Sequence, residues 1–420
     1  MNEKLLQYLW SYKIFRDFNF KDTEGNEIEI LDFGKFNKNS GPDFSLAKIK
    51  TQNVVLAGNI EIHVKSSDWY FHHHNEQKDY QSVILHAVYF NDLEIAELKS
   101  AGIPTLELKN YIDESIFAKY ENLESPFQFI PCEDIYNADF IPILFAEETL
   151  LKKLDEKSLE IESMLHKSKN NYEAVLFQKL AYSFGLKVNA EIYQNIAENI
   201  DFKIIQKTAQ NQQQLESLLF GKGGLLDTET ELNKKWKQEF EFLKAKFKFP
   251  APTFPVKFLR LMPPSFPTIR LSQLANLYHL QPNLFSKIIN AKNTNELKAI
   301  FEKVKTSIFW ENHFTFEKAT KEKTEKRLTE DFIDILLING ILPVIYTYYK
   351  HLEPEKTEQI LDFYKSLKPE KNSIIAQWKT LGNSFASALE TQAFLFNHKN
   401  FCLKKDCLNC SIGFRLMKSG

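Results

Sequence analysis

The segment 41–86 constrains the fold more than any other part of the chain. It opens on a Gly41-Pro42 turn followed by Asp43 and the run FSLAKIK. It continues as QNVVLAGNIEIHVK and, after an interruption rich in aromatics and histidine, as VILHAVYF. Successive side chains of a strand point to opposite faces. Glu61, His63 and Lys65 are therefore expected on one face, with Ile60, Ile62 and Val64 turned the other way into a core. Three polar groups gathered opposite an apolar face fit a divalent metal site. They equally fit a solvated sheet face on which Glu61 and Lys65 pair.

The flanking residues extend this sheet. Strand patterning covers 27–33, 45–49, 53–64, 82–90 and 105–108, with Gly25-Asn26, Gly41-Pro42, Gly58 and Asn91-Asp92 supplying turns. Residues 3–15 read as an amphipathic helix with Leu5, Leu6, Leu9, Trp10 and Ile14 on one side. After Ala146 the period becomes helical: 148–167, 173–184, 190–197, 213–219 and 231–247. A Pro-rich stretch, 249–267, is expected to be a linker. Helical periods resume at 271–278, 295–304, 331–349, 355–367 and 385–396. The expected architecture is α+β, a mixed-sheet domain followed by a mostly helical body. Its expected domains are 1–122, 123–250 and 251–420.

With 420 residues the chain can bury two or three cores, and its 43% hydrophobic and 26% charged content is that of a globular protein. A net charge of −2 excludes polyanion binding by bulk charge, so any nucleic-acid contact needs a local basic patch. The first residues lack a secretory apolar core, and no run approaches the roughly 18 apolar residues of a membrane helix. Four cysteines do not make a disulfide scaffold, so a reducing cytoplasm is expected.

Asp43 and Glu61 have the chemistry to hold Mg²⁺ or Mn²⁺, and His63, Lys65 or His86 to act as base or cation. His86 in VILHAVYF also reads as a core histidine satisfied by one partner. His72-His73-His74 can bind a transition metal or merely pack, and Trp69 and Tyr70 are expected to anchor that loop. Near the end, Cys402-x4-Cys407-x2-Cys410 has ligand spacing, with His398 or the distant Cys132 as fourth ligand. Zinc, a [4Fe–4S] cluster and packing thiols are the alternatives there. GKGG at 221–224 follows a helix and lacks P-loop spacing, so it reads as a helix-end turn. PPSFPTIR presents Arg270, with Arg260 shortly before it, either to a phosphate or to packing.

Pro42-Asp43 and Glu61-Ile62-His63, with the order helix, strand, Pro-Asp strand and Glu-bearing strand, resemble the PD-(D/E)XK nuclease superfamily. The resemblance implies a restriction-endonuclease-like fold and metal-dependent cleavage of nucleic acid. His63 stands where that pattern has Lys, and Lys65 lies two residues on. GPDFSLAKI, GNIEIHVKSSDWYFHHH, VILHAVY, LESLLFGKGGLL, PPSFPTIRLSQLA and the terminal cysteines are similar to a bacterial family known as domain of unknown function 2851. That likeness implies that these segments belong together and brings no activity with it. Three functions are therefore weighed: a metal-dependent nuclease, a non-enzymatic scaffold built on an inactive nuclease-like domain, and a His-rich metalloenzyme of other chemistry.

Overall fold

The computed structural model describes residues 2–37, 40–124, 129–248 and 254–418. Its fold is α+β, and the chain forms two compact units rather than three consecutive domains. One unit comprises Met1–Phe145, Ala376–Asn383 and Asn397–Gly420, and the other Ala146–Ile375 and Ser384–Phe396. The expected boundary near 250 fails because helix Pro267–Leu280 packs on helices Tyr172–Phe184 and Gln212–Lys222. The tail rejoins the sheet unit because the Phe414 ring packs against Tyr8 and Tyr12.

The sheet unit begins with α1 (Glu3–Ser11), whose first turn is capped by the Asn2 side chain accepting from the Leu5 N–H. Leu5, Leu6, Leu9 and Trp10 are buried from it. The helix ends before the expected 15, because Lys13 turns into the left-handed region. Strands β1 (Phe20–Lys21), β2 (Glu27–Asp32), β3 (Lys35–Phe36), β4 (Phe44–Thr51), β5 (Val54–Lys65), β6 (Val83–Phe90) and β7 (Thr105–Glu107) form one mixed sheet. Their order is β1-β2-β4-β5-β6-β7, with β3 paired to β4. β4 and β5 are antiparallel through a two-residue turn, Gln52-Asn53, both at positive φ, the backbone that matches strand twist. β6 and β7 run parallel to their neighbours. The β5–β6 crossover carries α2 (Asp68–Phe71) and the histidine run. Gly58 lets β6 approach: a Cβ there would stand 2.5 Å from the Ser82 carbonyl oxygen.

The helical unit buries one large apolar core that includes Phe177, Leu180, Phe220, Leu274 and Ile341. Segment 330–352 corrects the expectation that no run reaches membrane length. By length and composition it would span a bilayer, yet 83% of its apolar window is buried, as in a core helix. A π-turn at Leu337–Ile341 precedes Pro343, whose ring cannot continue a regular helix. The GKGG segment ends helix Gln212–Lys222, with Gly224 at positive φ. The Pro-rich stretch is packed onto this turn where it is described, as Phe254 and Val256 donate N–H bonds to the Lys222 and Gly223 carbonyls. Its part 249–253 lies outside the described residues.

Candidate metal centre

β5 supplies Glu61 and His63, and β6 runs beside it with Glu61 opposite His86 and His63 opposite Val88. All three polar residues are buried, and so are Ile60 and Ile62, so both faces of β5 are covered here. The crossover supplies two more imidazoles. His73 sits at φ 58°, in the left-handed region. That one residue reverses the chain between its neighbours, so His72 and His74 both reach His63 while His73 stays exposed.

The contacts are close. His63 Nε2 lies 3.2 Å from His72 Nδ1. Glu61 Oε1 lies 3.5 Å from His63 Nε2 and 3.2 Å from His74 Nε2. His63 Nδ1 is 2.9 Å from His86 Nε2. In the tautomer where His63 Nδ1–H donates to His86, His63 Nε2 presents its lone pair to the cluster. Both His74 nitrogens are buried and neither makes a well-aligned hydrogen bond, Nε2 meeting only the Glu61 carboxylate.

Asp43 fixes the glutamate. Its backbone N–H donates to Glu61 Oε2 at 3.0 Å, leaving Oε1 toward the imidazoles. Its own carboxylate accepts from Gln7 Nε2 at 2.8 Å and from the Ile62 N–H at 3.1 Å, locking it between α1 and β5. A bulge in β4 next to Asp43, with Leu46 at φ 61°, shifts the register between Phe44 and Ala47. Bulges of this kind re-aim side chains beside functional sites.

Burial dominates the electrostatics. It pushes Asp43 up to about 7, with the Glu61 charge adding to the effect. It pushes Glu61 up to about 8, against the pull of the Asp43 N–H. It pushes His63 down to about 2, helped by His86, His74 and His72, and His86 down to about 3. His74 is lowered as well, again by burial first. Burial thus favours the neutral form of His63, His74 and His86, the form that ligates metals.

The donor set fits an ion. Bonds of about 2.1 Å put neighbouring ligand atoms about 3.0 Å apart in octahedral and about 3.4 Å apart in tetrahedral geometry. The two separations of 3.2 Å fall in that range, and the 3.5 Å between Glu61 and His63 lies just beyond it. Ligating atoms of His63, His72 and His74 all lie within 4.8 Å of one another. Around them Trp69 packs edge-on or tilted against His63, His74 and His86, and Tyr80 stacks on His74 with ring centroids 3.7 Å apart. Trp69 is buried and anchors the loop; Tyr70 instead hydrogen-bonds Glu97 near the surface.

Of the residues singled out from sequence, Asp43, Glu61, His63 and His86 are brought together. Lys65 is exposed at the strand end, where the Asp68 carboxylate takes its backbone N–H, so strand parity does not carry its amine into the cluster. Gln7 and Tyr80 had no sequence signal. Arg270 is buried in the helical unit, 3.6 Å over the Phe332 ring. Cys132, Cys402, Cys407 and Cys410 line one small cavity, whereas His398 turns its Nε2 to the Phe129 carbonyl oxygen at 3.3 Å.

Comparison with curated proteins and with solved structures found no match. A family model described as "Protein of unknown function (DUF2851)" matches residues 3–373, a span that includes every residue of the histidine–glutamate cluster. The chain belongs to that family.

Proposed function

We propose that the chain is a metal-dependent phosphodiester hydrolase acting on nucleic acid, with a transition ion such as Mn²⁺ or Zn²⁺ held by Glu61, His63, His72 and His74. The observation that carries this reading is the convergence of three imidazoles, with Glu61 Oε1 3.2 and 3.5 Å from two of them, on a Pro-Asp and Glu-x-His strand pair. Three imidazoles favour a transition ion over the Mg²⁺ that two carboxylates alone would suggest. When bound, such an ion polarises a phosphoryl oxygen and lowers the pKa of its water.

The chain's own residues prepare that chemistry. Asp43 positions Glu61 through its backbone N–H. His86 orients the His63 ring. Trp69 and Tyr80 keep the inner side of the cluster dry, and His72 lies at its solvent edge. A second reading, a binding scaffold on an inactive nuclease-like domain, draws on the exposed position of Lys65, which leaves the cluster without the cation of the nuclease pattern.

The test is cleavage of single-stranded and duplex DNA and RNA by metal-stripped protein supplemented with Mn²⁺, Zn²⁺ or Mg²⁺. The hydrolase reading expects cleavage that falls by about 100-fold or more in Glu61→Gln and His74→Ala, since each removes a proposed ligand. Cleavage that survives both substitutions overturns the assignment of the site. Metal binding without cleavage of any substrate overturns the hydrolase in favour of the scaffold.

A further inference from the structure

The four cysteines of the chain come together within the sheet unit. Cys132, Cys402, Cys407 and Cys410 are all buried and unbonded to one another. They line one cavity of about 10 Å³ with Pro131, Asn397 and Gly413. Cys402, Cys407 and Cys410 lie beyond residue 373, where the family match ends.

One buried polar side chain stands beside the sulfurs. The Asn397 side chain, buried, accepts from Cys410 Sγ at 3.3 Å and points its Nδ2 toward Cys402 Sγ at 3.9 Å. Backbone N–H groups of Gly413 and Ile412 donate to the Cys410 sulfur. Gly413 is required for this approach, because a Cβ there would stand 2.1 Å from the Cys407 carbonyl oxygen. N–H groups aimed at a sulfur are what a thiolate ligand needs.

Spacing distinguishes the possible occupants. One zinc ion with Zn–S bonds of about 2.3 Å draws four sulfurs to about 3.8 Å from one another. The histidine nitrogens meet the 4.8 Å span of a single-ion group, but the cysteines do not form such a group. In a cubane each thiolate ligates its own iron, so the sulfurs stand further apart than around one ion.

We infer that Cys132, Cys402, Cys407 and Cys410 ligate a [4Fe–4S] cluster that ties the terminal segment to the sheet unit. Four protein ligands leave no iron open, so the cluster is structural. His398 is not a ligand: it is absent from the cavity lining, and its Nε2 faces the Phe129 carbonyl oxygen. A group bound only by the folded state adds its binding energy to folding, so loss of the cluster loosens helix Ser411–Lys418.

The experiment uses the full chain purified without oxygen. Iron, acid-labile sulfide and zinc are measured, together with visible absorbance. The expected result is iron and sulfide near four each per chain, with a broad absorbance that dithionite bleaches. Cys132→Ser is expected to lose most of the iron and His398→Ala to keep it. One zinc per chain without sulfide overturns the cluster, and folded wild-type protein with neither metal overturns the site. Iron retained in Cys132→Ser but lost in His398→Ala overturns the choice of fourth ligand.

Discussion

Two buried glutamates show how the units differ. In the helical unit, Glu216 accepts hydrogen bonds on both oxygens, from Ser272 and Gln212 on one and from Trp236 and Ser307 on the other. Its acceptor capacity is met by donors that packing supplies. In the sheet unit, Glu61 receives one backbone N–H on Oε2, while Oε1 faces imidazole nitrogens. A buried carboxylate that is saturated is a structural element; one that faces several imidazole nitrogens can share a cation with them. Both are pushed upward by burial, so the shift alone would not separate them. The partners do.

This contrast can be broken by substitution. Glu216→Ala leaves four donors without their acceptor, and the expected destabilisation is about 3 kcal/mol or more, read from the denaturant midpoint of the helical unit. A loss under about 1 kcal/mol would mean that water enters and the network is not structural.

A smaller effect comes from pH. Asp43 and Glu61 have raised folded-state values, about 7 and about 8. The folded state therefore holds protons that the unfolded chain has released above about 4. Their stabilisation is present at low pH and is lost as pH rises through those folded values. The depressed histidines act in the opposite sense, costing stability as pH falls below about 6.5. Above about pH 7 the carboxylates outweigh the histidines, so metal-stripped protein is expected to lose about 1 kcal/mol between about 7 and 8.5. Glu61→Gln should flatten the slope, as should saturating Mn²⁺ or Zn²⁺. An unchanged slope in the variant would assign the pH dependence to other groups.

The smallest expected effect is at His73. It is exposed, and its left-handed backbone suits glycine. His73→Gly should change stability by under about 0.5 kcal/mol and leave metal affinity intact, since the backbone at this position, not the side chain, separates its neighbours. An affinity loss comparable to that of His72→Ala, measured by titration calorimetry, would show that His73 is itself a ligand.

The longer strands were legible because at least one face of each had to be apolar, and the turns at Gly25-Asn26 and Gly41-Pro42 bounded them; β1 and β3, two residues each, carried no such pattern. The longer helices were legible from their period. Short elements were not: α2, helix Ala96–Ser100 and helix Ser411–Lys418 carry too few residues to show a period. Glu61, His63 and His86 could be singled out because polar groups interrupt apolar runs. The part played by His72 and His74 depends on one backbone angle at His73, which no residue type dictates. Lys65 shared the parity of Glu61 and His63, but parity ends where the strand does. The return of the tail to the sheet unit depends on contacts such as Tyr12 with Phe414, which are distant in sequence.

The central claim is that Glu61, His63, His72 and His74 hold one ion. Crystals of the full chain grown with Mn²⁺, with anomalous data collected at the manganese edge, test it most directly. The account predicts one anomalous peak bounded by Glu61 Oε1, His63 Nε2, His72 Nδ1 and His74 Nε2. A well-ordered cluster with no peak there, and the four side chains in the same arrangement, would contradict it.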